Sequence, residues 1–194
     1  MRVLPILSML LAAPSLFAQS GPAPRGISKI TVSGKSITVN YGRPELKGRS
    51  MDALLSKLPP DRIWRAGENQ VTTLTTTGPI VIGNKRVAAG TYSLYVHIPK
   101  EGDWALVLNT DPGIELVKIY AKAPPNVAHE LWPRLDGYTK NISDKEVARI
   151  PMQKGSGSAP AELFTIDLKP VSQGALLEMS WGDVRYSVDV KSAE

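Results

Sequence analysis

The chain has 194 residues, two His, no Cys and a formal net charge of +5. Without cysteine it has neither disulfides nor thiolate metal sites, so its fold must be held by its core alone. The mild positive excess suits anionic partners without requiring them, and the lack of a basic helix or an aromatic RNA-type motif argues against nucleic acid.

Residues 1–18 read as a secretory signal peptide. Met1-Arg2 is a short positive start, Val3 to Leu11 is an apolar core, and Ala12 to Ala18 turns small. The apolar run is too short to span a membrane, and no later segment approaches that length. The expectation is cleavage after Ala18 and a periplasmic or secreted protein with no membrane span. Residues 19–26 are rich in Pro and Gly and read as a flexible leader. Residues 27–194 then form a single domain.

From there a period of two dominates. Ile30 and Val32, then Ile37, Val39 and Tyr41, alternate with polar residues around Ser33-Gly34-Lys35, which predicts a hairpin with one buried face. Met51 to Leu58 carries Leu54, Leu55 and Leu58 at helical spacing between Ser50 and Pro59-Pro60, which predicts one short helix. Strand patterns follow at Val71 to Thr76, Pro79 to Ile82 and Arg86 to Ala88, the last two around a Gly83-Asn84 turn. Further strands are predicted at Tyr92 to Ile98, Trp104 to Leu108 and Ile114 to Tyr120. Pro124 to Lys140 reads as a long irregular loop with room for one turn of helix, and Gln153 to Pro160 as a Gly/Ser loop tip after a strand from Glu146 to Met152. Leu163 to Leu168, Ala175 to Trp181 and Val184 to Val190 complete the set. About ten short strands without a strand–helix rhythm predict an all-β single-domain β-sandwich or flattened barrel.

Known chemical motifs fail on inspection. The zinc-helix opening His129-Glu130 lacks its second His, since position 133 is Pro. The Gly155 stretch "GSGSAP" ends in Pro160 and leads into a strand, so it is no nucleotide loop. No metal or cofactor is expected. His97, with Ser93 on the same outward strand face and Asp103 nearby in sequence, leaves a hydrolase as one alternative.

The most distinctive feature is a concentration of cations in short connections. "YGRPELKGR" (Tyr41 to Arg49) and "DRIWRAGEN" (Asp61 to Asn69) hold four Arg and one Lys. Arg43 precedes Pro44 and is pushed to an extended backbone at a strand end. Gly67 and Asn69 suit a left-handed turn before the Val71 strand. Guanidinium groups present a fixed planar fork to carboxylate or phosphate. Tyr41, Arg43, Arg49, Trp64, Arg65 and Asn69 are therefore the candidate ligand-binding set: arginines to grip an anion, aromatics as walls and Asn69 to orient. The competing reading is structural, with Glu68, Glu162 and Glu178 available as ion-pair partners.

The blocks "YGRPELKGR", "WRAGENQVT", "AGTYSLYVHIP" with "DWALVLN", and "ELFTID" with "LLEMSW" resemble the signature segments of bacterial domain of unknown function family 2911. The resemblance implies an exported, β-rich single domain and carries no activity. Glu68 stands where the family pattern usually has Ala, and "SMDALLSKLPPDRI" replaces an aromatic–Gly pair. The leading reading is a non-enzymatic β-sandwich that binds an anionic small molecule or glycan. The second alternative is a module for a protein partner in the cell envelope, using an open sheet edge.

Overall fold

A computed structural model describes residues 24–134, 137–156 and 159–194. The expected signal peptide (1–18) and all but the last three residues of the expected leader (19–26) lie outside the described residues. Arg25 and Gly26 are not leader: the first strand already includes them, and Arg43 N donates to Pro24 O at 2.8 Å.

Among the described residues the strands run β1 (Arg25–Val32), β2 (Lys35–Gly42), β3 (Ile63–Trp64), β4 (Thr73–Thr76), β5 (Ile80–Ile82), β6 (Lys85–Val87), β7 (Gly90–His97) and β8 (Ala105–Asn109). They continue as β9 (Ile114–Glu115), β10 (Leu131–Trp132), β11 (Glu146–Pro151), β12 (Gln153–Lys154), β13 (Ala161–Val171), β14 (Gly174–Gly182) and β15 (Val184–Ser192). Single-turn helices are α1 (Met51–Leu55), α2 (Leu116–Ile119) and α3 (Tyr138–Asn141). One antiparallel sheet has the order β1-β2-β4-β7-β8-β11, with β3 also on β7. The other has the order β13-β14-β15-β5-β6, with β12 on β15, and β9 pairs only with β10. This is an all-β sandwich, not a closed barrel.

The core lies where the alternation puts it. Ile37, Val39, Leu74, Leu94 and Leu106 of the first sheet meet Phe164, Ile166, Leu177 and Val190 of the second, all essentially inaccessible. The Ser33-Gly34 and Gly83-Asn84 turns are two-residue hairpin connections, with Val32 opposite Lys35 and Ile82 opposite Lys85. Ser33 and Gly34 both have positive φ, the backbone such turns demand.

Three expectations are corrected. Ser93 and His97 do not lie on an open face: a second small cluster of Ile63, Tyr95, Val107, Tyr138 and Ile142 covers the outside of β7 and β8. Ile114 to Tyr120 is not one strand. The β10 partner pairs only with Ile114 and Glu115, so the chain then satisfies its own backbone with one helical turn, Tyr120 N donating to Leu116 O at 2.8 Å. Among the described residues there are accordingly three short α-helices rather than one, and the third starts at the end of the long loop, where a single helical turn was allowed for.

One topological detail positions everything that follows. β3 and β4 lie end to end along the same edge of β7, with Trp64 opposite Val96 and Thr73 opposite Ser93. Residues 65–72 loop out between them, and the ladder resumes as Leu94 N donates to Thr72 O at 2.8 Å. Thr72 Oγ1 donates to Ala66 O at 2.9 Å across the neck of this loop. Ala66 and Asn69 take the left-handed positions, where Gly67 and Asn69 were expected. The loop lies flat on the end of β2: a Cβ on Gly42 would sit 2.0 Å from Glu68 O. Gly42→Ala therefore has to displace backbone, and a loss of about 2–3 kcal/mol in urea unfolding is expected. A variant as stable as the parent would show that the 65–72 loop is not fixed against β2.

Candidate functional site

An open cleft of about 990 Å³ lies at the end of the sandwich where the α1 segment, the 65–72 loop and the 133–140 segment meet. Among the described residues its cations are Arg49, Lys57, Arg65, Arg134 and Lys140, set against the carboxylates of Asp61 and Glu68. Trp64, Trp181, Tyr95 and Tyr138 supply aromatic wall. The Trp64 and Trp181 rings stack at 5.5 Å and 14°, and both pack edge-on against buried Phe164, at 4.7 and 6.0 Å.

The five cations singled out in the sequence have different fates. Arg43 is a strut: its Nε donates to Phe164 O at 3.3 Å and its Nη2 to Thr165 Oγ1 at 3.0 Å, joining β2 to β13. Arg62 is another, donating to Ile98 O and Leu55 O, both at 2.9 Å, so that it ties α1 to the end of β7. Lys47 is an exposed partner of Glu45 at 3.7 Å. Arg49 lines the cleft but also caps its own turn through Leu46 O at 2.8 Å and Glu45 O at 2.5 Å. Arg65 is the exception. It is half-buried in the cleft wall, and among the described residues it makes no hydrogen bond or ion pair. Burial pulls its pKa down, and the nearby Glu68 and Tyr95 oppose that shift.

Strand alternation explains where Arg65 points. Trp64 packs against the inter-sheet core, while Ile63 joins the outer cluster with Tyr95. Arg65 follows Trp64 and emerges on that outer side, where the loop leaves the edge of β7. The Tyr95 hydroxyl is buried and has no partner among the described residues. Burial, reinforced by the charge of Asp111, pushes its pKa up to about 12, so it is a neutral O–H donor at physiological pH. The Trp181 Nε1 is likewise buried without an acceptor among the described residues.

The expected six-residue set is thus brought together only in part. Arg49, Trp64 and Arg65 line the cleft. Tyr41 is 4% exposed and packs edge-on against Phe164 at 5.8 Å, so it is core. Arg43 is the strut just described, and Asn69 (φ 63°) shapes its loop away from the cleft lining. Lys57, Arg134, Lys140, Tyr95, Tyr138 and Trp181 were not singled out. Arg134 and Lys140 belong to the proline- and aromatic-bearing segment, Pro124 to Lys140, whose irregularity was the available signal.

The hydrolase alternative finds little on its proposed face. Ser93 is 3% exposed and its Oγ donates to Asp111 O at 2.8 Å and Asn109 O at 3.2 Å. Burial and then Arg149 lower the His97 pKa, and Asp103 is not among the charges that shift it.

Beneath the cleft, Asp111 anchors the wall. Its carboxylate, 1% exposed, accepts from Lys145 Nζ at 2.7 Å and from Gly113 N at 2.9 Å and lies 3.6 Å from Arg134 Nε. Arg134 reaches the cleft from this anchor.

Fold and cleft together define a β-sandwich with a cation-rich, aromatic-walled opening at one end. Residues 23–190 match the family described as Protein of unknown function (DUF2911), and the chain belongs to that family. No curated protein and no solved structure matches the chain.

Asp111 gives the site a pH signature. Burial pushes its carboxyl up, but Lys145, the Gly113 amide and Arg134 together outweigh this, and its pKa is lowered in the folded protein. A depressed carboxyl contributes stability that is present above about pH 4 and is lost as the pH falls through the folded value. The melting temperature is therefore expected to fall below about pH 4. Asp111→Asn should be less stable at pH 7, by about 1–3 kcal/mol, and should show a shallower acid limb. Parallel acid limbs in parent and variant, measured by melts from pH 2.5 to 7, would contradict this.

Proposed function

We propose that this is an exported protein whose cleft binds an anionic small molecule or glycan carrying carboxylate or phosphate, as a binding protein rather than a catalyst. One observation carries the reading. Arg43 and Arg62 use their guanidinium groups on backbone carbonyls, whereas Arg65 is held half-buried in the cleft wall with no hydrogen bond or ion pair among the described residues. An unpaired, partly desolvated guanidinium has most to gain from an incoming oxyanion, which accepts two parallel N–H bonds.

The surroundings support the same reading. Lys57, Arg134, Lys140 and Arg49 add positive potential, which attracts anions before contact. The stacked Trp64 and Trp181 rings offer a flat apolar wall of the kind sugar faces and aromatic acids pack on. Glu68 and Asp61 reduce the net positive charge. Asp61 is otherwise engaged, accepting from Ile63 N and Thr139 N. Export rests on the charged start, apolar core and small-residue end of residues 1–18.

The test is a thermal-shift panel of citrate, pyrophosphate and oligogalacturonate on the purified protein. At a hundred times its dissociation constant, a ligand adds about 2.7 kcal/mol, a rise of roughly 5–10 °C for a domain of this size. Arg65→Gln is expected to melt within about 2 °C of the parent and to lose that rise, because it removes no hydrogen bond or ion pair among the described residues. A destabilised Arg65→Gln, or an anion response it does not alter, would make the arginine structural and overturn the reading.

A further inference from the structure

The anion cleft has an apolar neighbour. A second, smaller and partly open cavity of about 100 Å³ lies between the two sheets, beneath α1. Leu54, Leu58, Trp64 and Trp181 line both spaces, so the two share one wall. The remainder is apolar: Met51, Leu55, Ile98, Trp104, Phe164, Met179 and Val184, with Ser180 the one polar residue among those described. We propose that the bound anion carries a short apolar group, and that this group enters the cavity while the charged end stays with Arg65. This rests on the anion reading and narrows it to amphipathic anions, such as short-chain or small branched carboxylates.

The cover over the cavity is thin. α1 is a single helical turn of five residues, started by Ser50 Oγ accepting from Ala53 N at 3.2 Å. Only Met51 of α1 is buried, while Leu54 and Leu55 remain half-exposed. An apolar group seated there would complete their burial. The volume sets a limit on that group. A dry apolar cavity of about 150 Å³ admits a benzene ring. A smaller one suits roughly three or four carbons and excludes a long acyl chain.

The experiment is a titration of the full-length mature protein with straight-chain carboxylates from acetate to octanoate, read by calorimetry, with pyrophosphate alongside. Affinity is expected to rise about fourfold per added methylene, as far as butyrate or pentanoate, and then to level. Val184→Phe, which fills the cavity, should flatten the series. Val184→Ala, which enlarges it, should move the plateau to a longer chain, and this variant carries the test if the first does not fold. A flat series in the parent, a rise that continues to octanoate, or a series that neither Val184 variant changes would overturn the inference. With pyrophosphate still bound through Arg65, the anion reading would survive that result. If neither pyrophosphate nor any carboxylate binds, both fall.

Discussion

The packing of Trp64 into the aromatic cluster with Phe164 and Trp181 is the interaction on which the site depends. It joins the short β3 of one sheet to β13 and β14 of the other, at ring separations of 4.7 and 5.5 Å. A strand residue held on the core side commits its neighbours to the other side. Ile63 therefore joins the outer cluster, and Arg65 is delivered to the cleft beside Tyr95. The aromatic cluster thus fixes the fold's end and aims the guanidinium in one step.

The loop that follows is built to hold that aim. Thr72 closes its neck on Ala66 O, and Glu68 lies against the bare backbone of Gly42. Gln70 Nε2 donates to Glu130 Oε2 at 2.6 Å, and Val71 N to Leu131 O at 2.9 Å, tying the loop to the 114–132 excursion. A cation placed on a loop braced from three sides loses little further freedom when it meets a ligand, which is what makes a preformed binding group effective. On the far wall, Asp111 performs the same service for Arg134.

Much of the architecture was legible in the sequence because it rests on local rules. Ile37, Val39 and Tyr41 alternate, and they are core. The Ser33-Gly34 and Gly83-Asn84 turns follow from the backbone those residues tolerate. The site was legible in part. Tyr41 shares the alternation of Ile37 and Val39, so its core position was already written in the pattern. The role of Arg43 was not, because its acceptors Phe164 O and Thr165 Oγ1 lie more than a hundred positions away along the chain. Nor was the convergence of Lys57, Arg134 and Lys140 with Arg65, which comes from tertiary packing of three separate connections. The outward face of β7 was misread for the same reason: alternation says which side a residue takes, not whether another segment covers that side. The concentration of arginines in "YGRPELKGR" and "DRIWRAGEN" thus has a divided answer, since most of them brace the chain and Arg65 is left for the cleft.

Everything proposed for the cleft turns on whether Arg65 is a binding group. The most direct measurement is an NMR titration with pyrophosphate that follows the arginine side-chain Nε–Hε resonances, with the Arg65 signal assigned by its disappearance in Arg65→Gln. A saturable shift of that resonance is expected at lower concentrations than any other arginine's, with those of Arg43 and Arg62 unmoved. An Arg65 resonance that stays in place, or drifts only as the exposed arginines do with rising ionic strength, would contradict it.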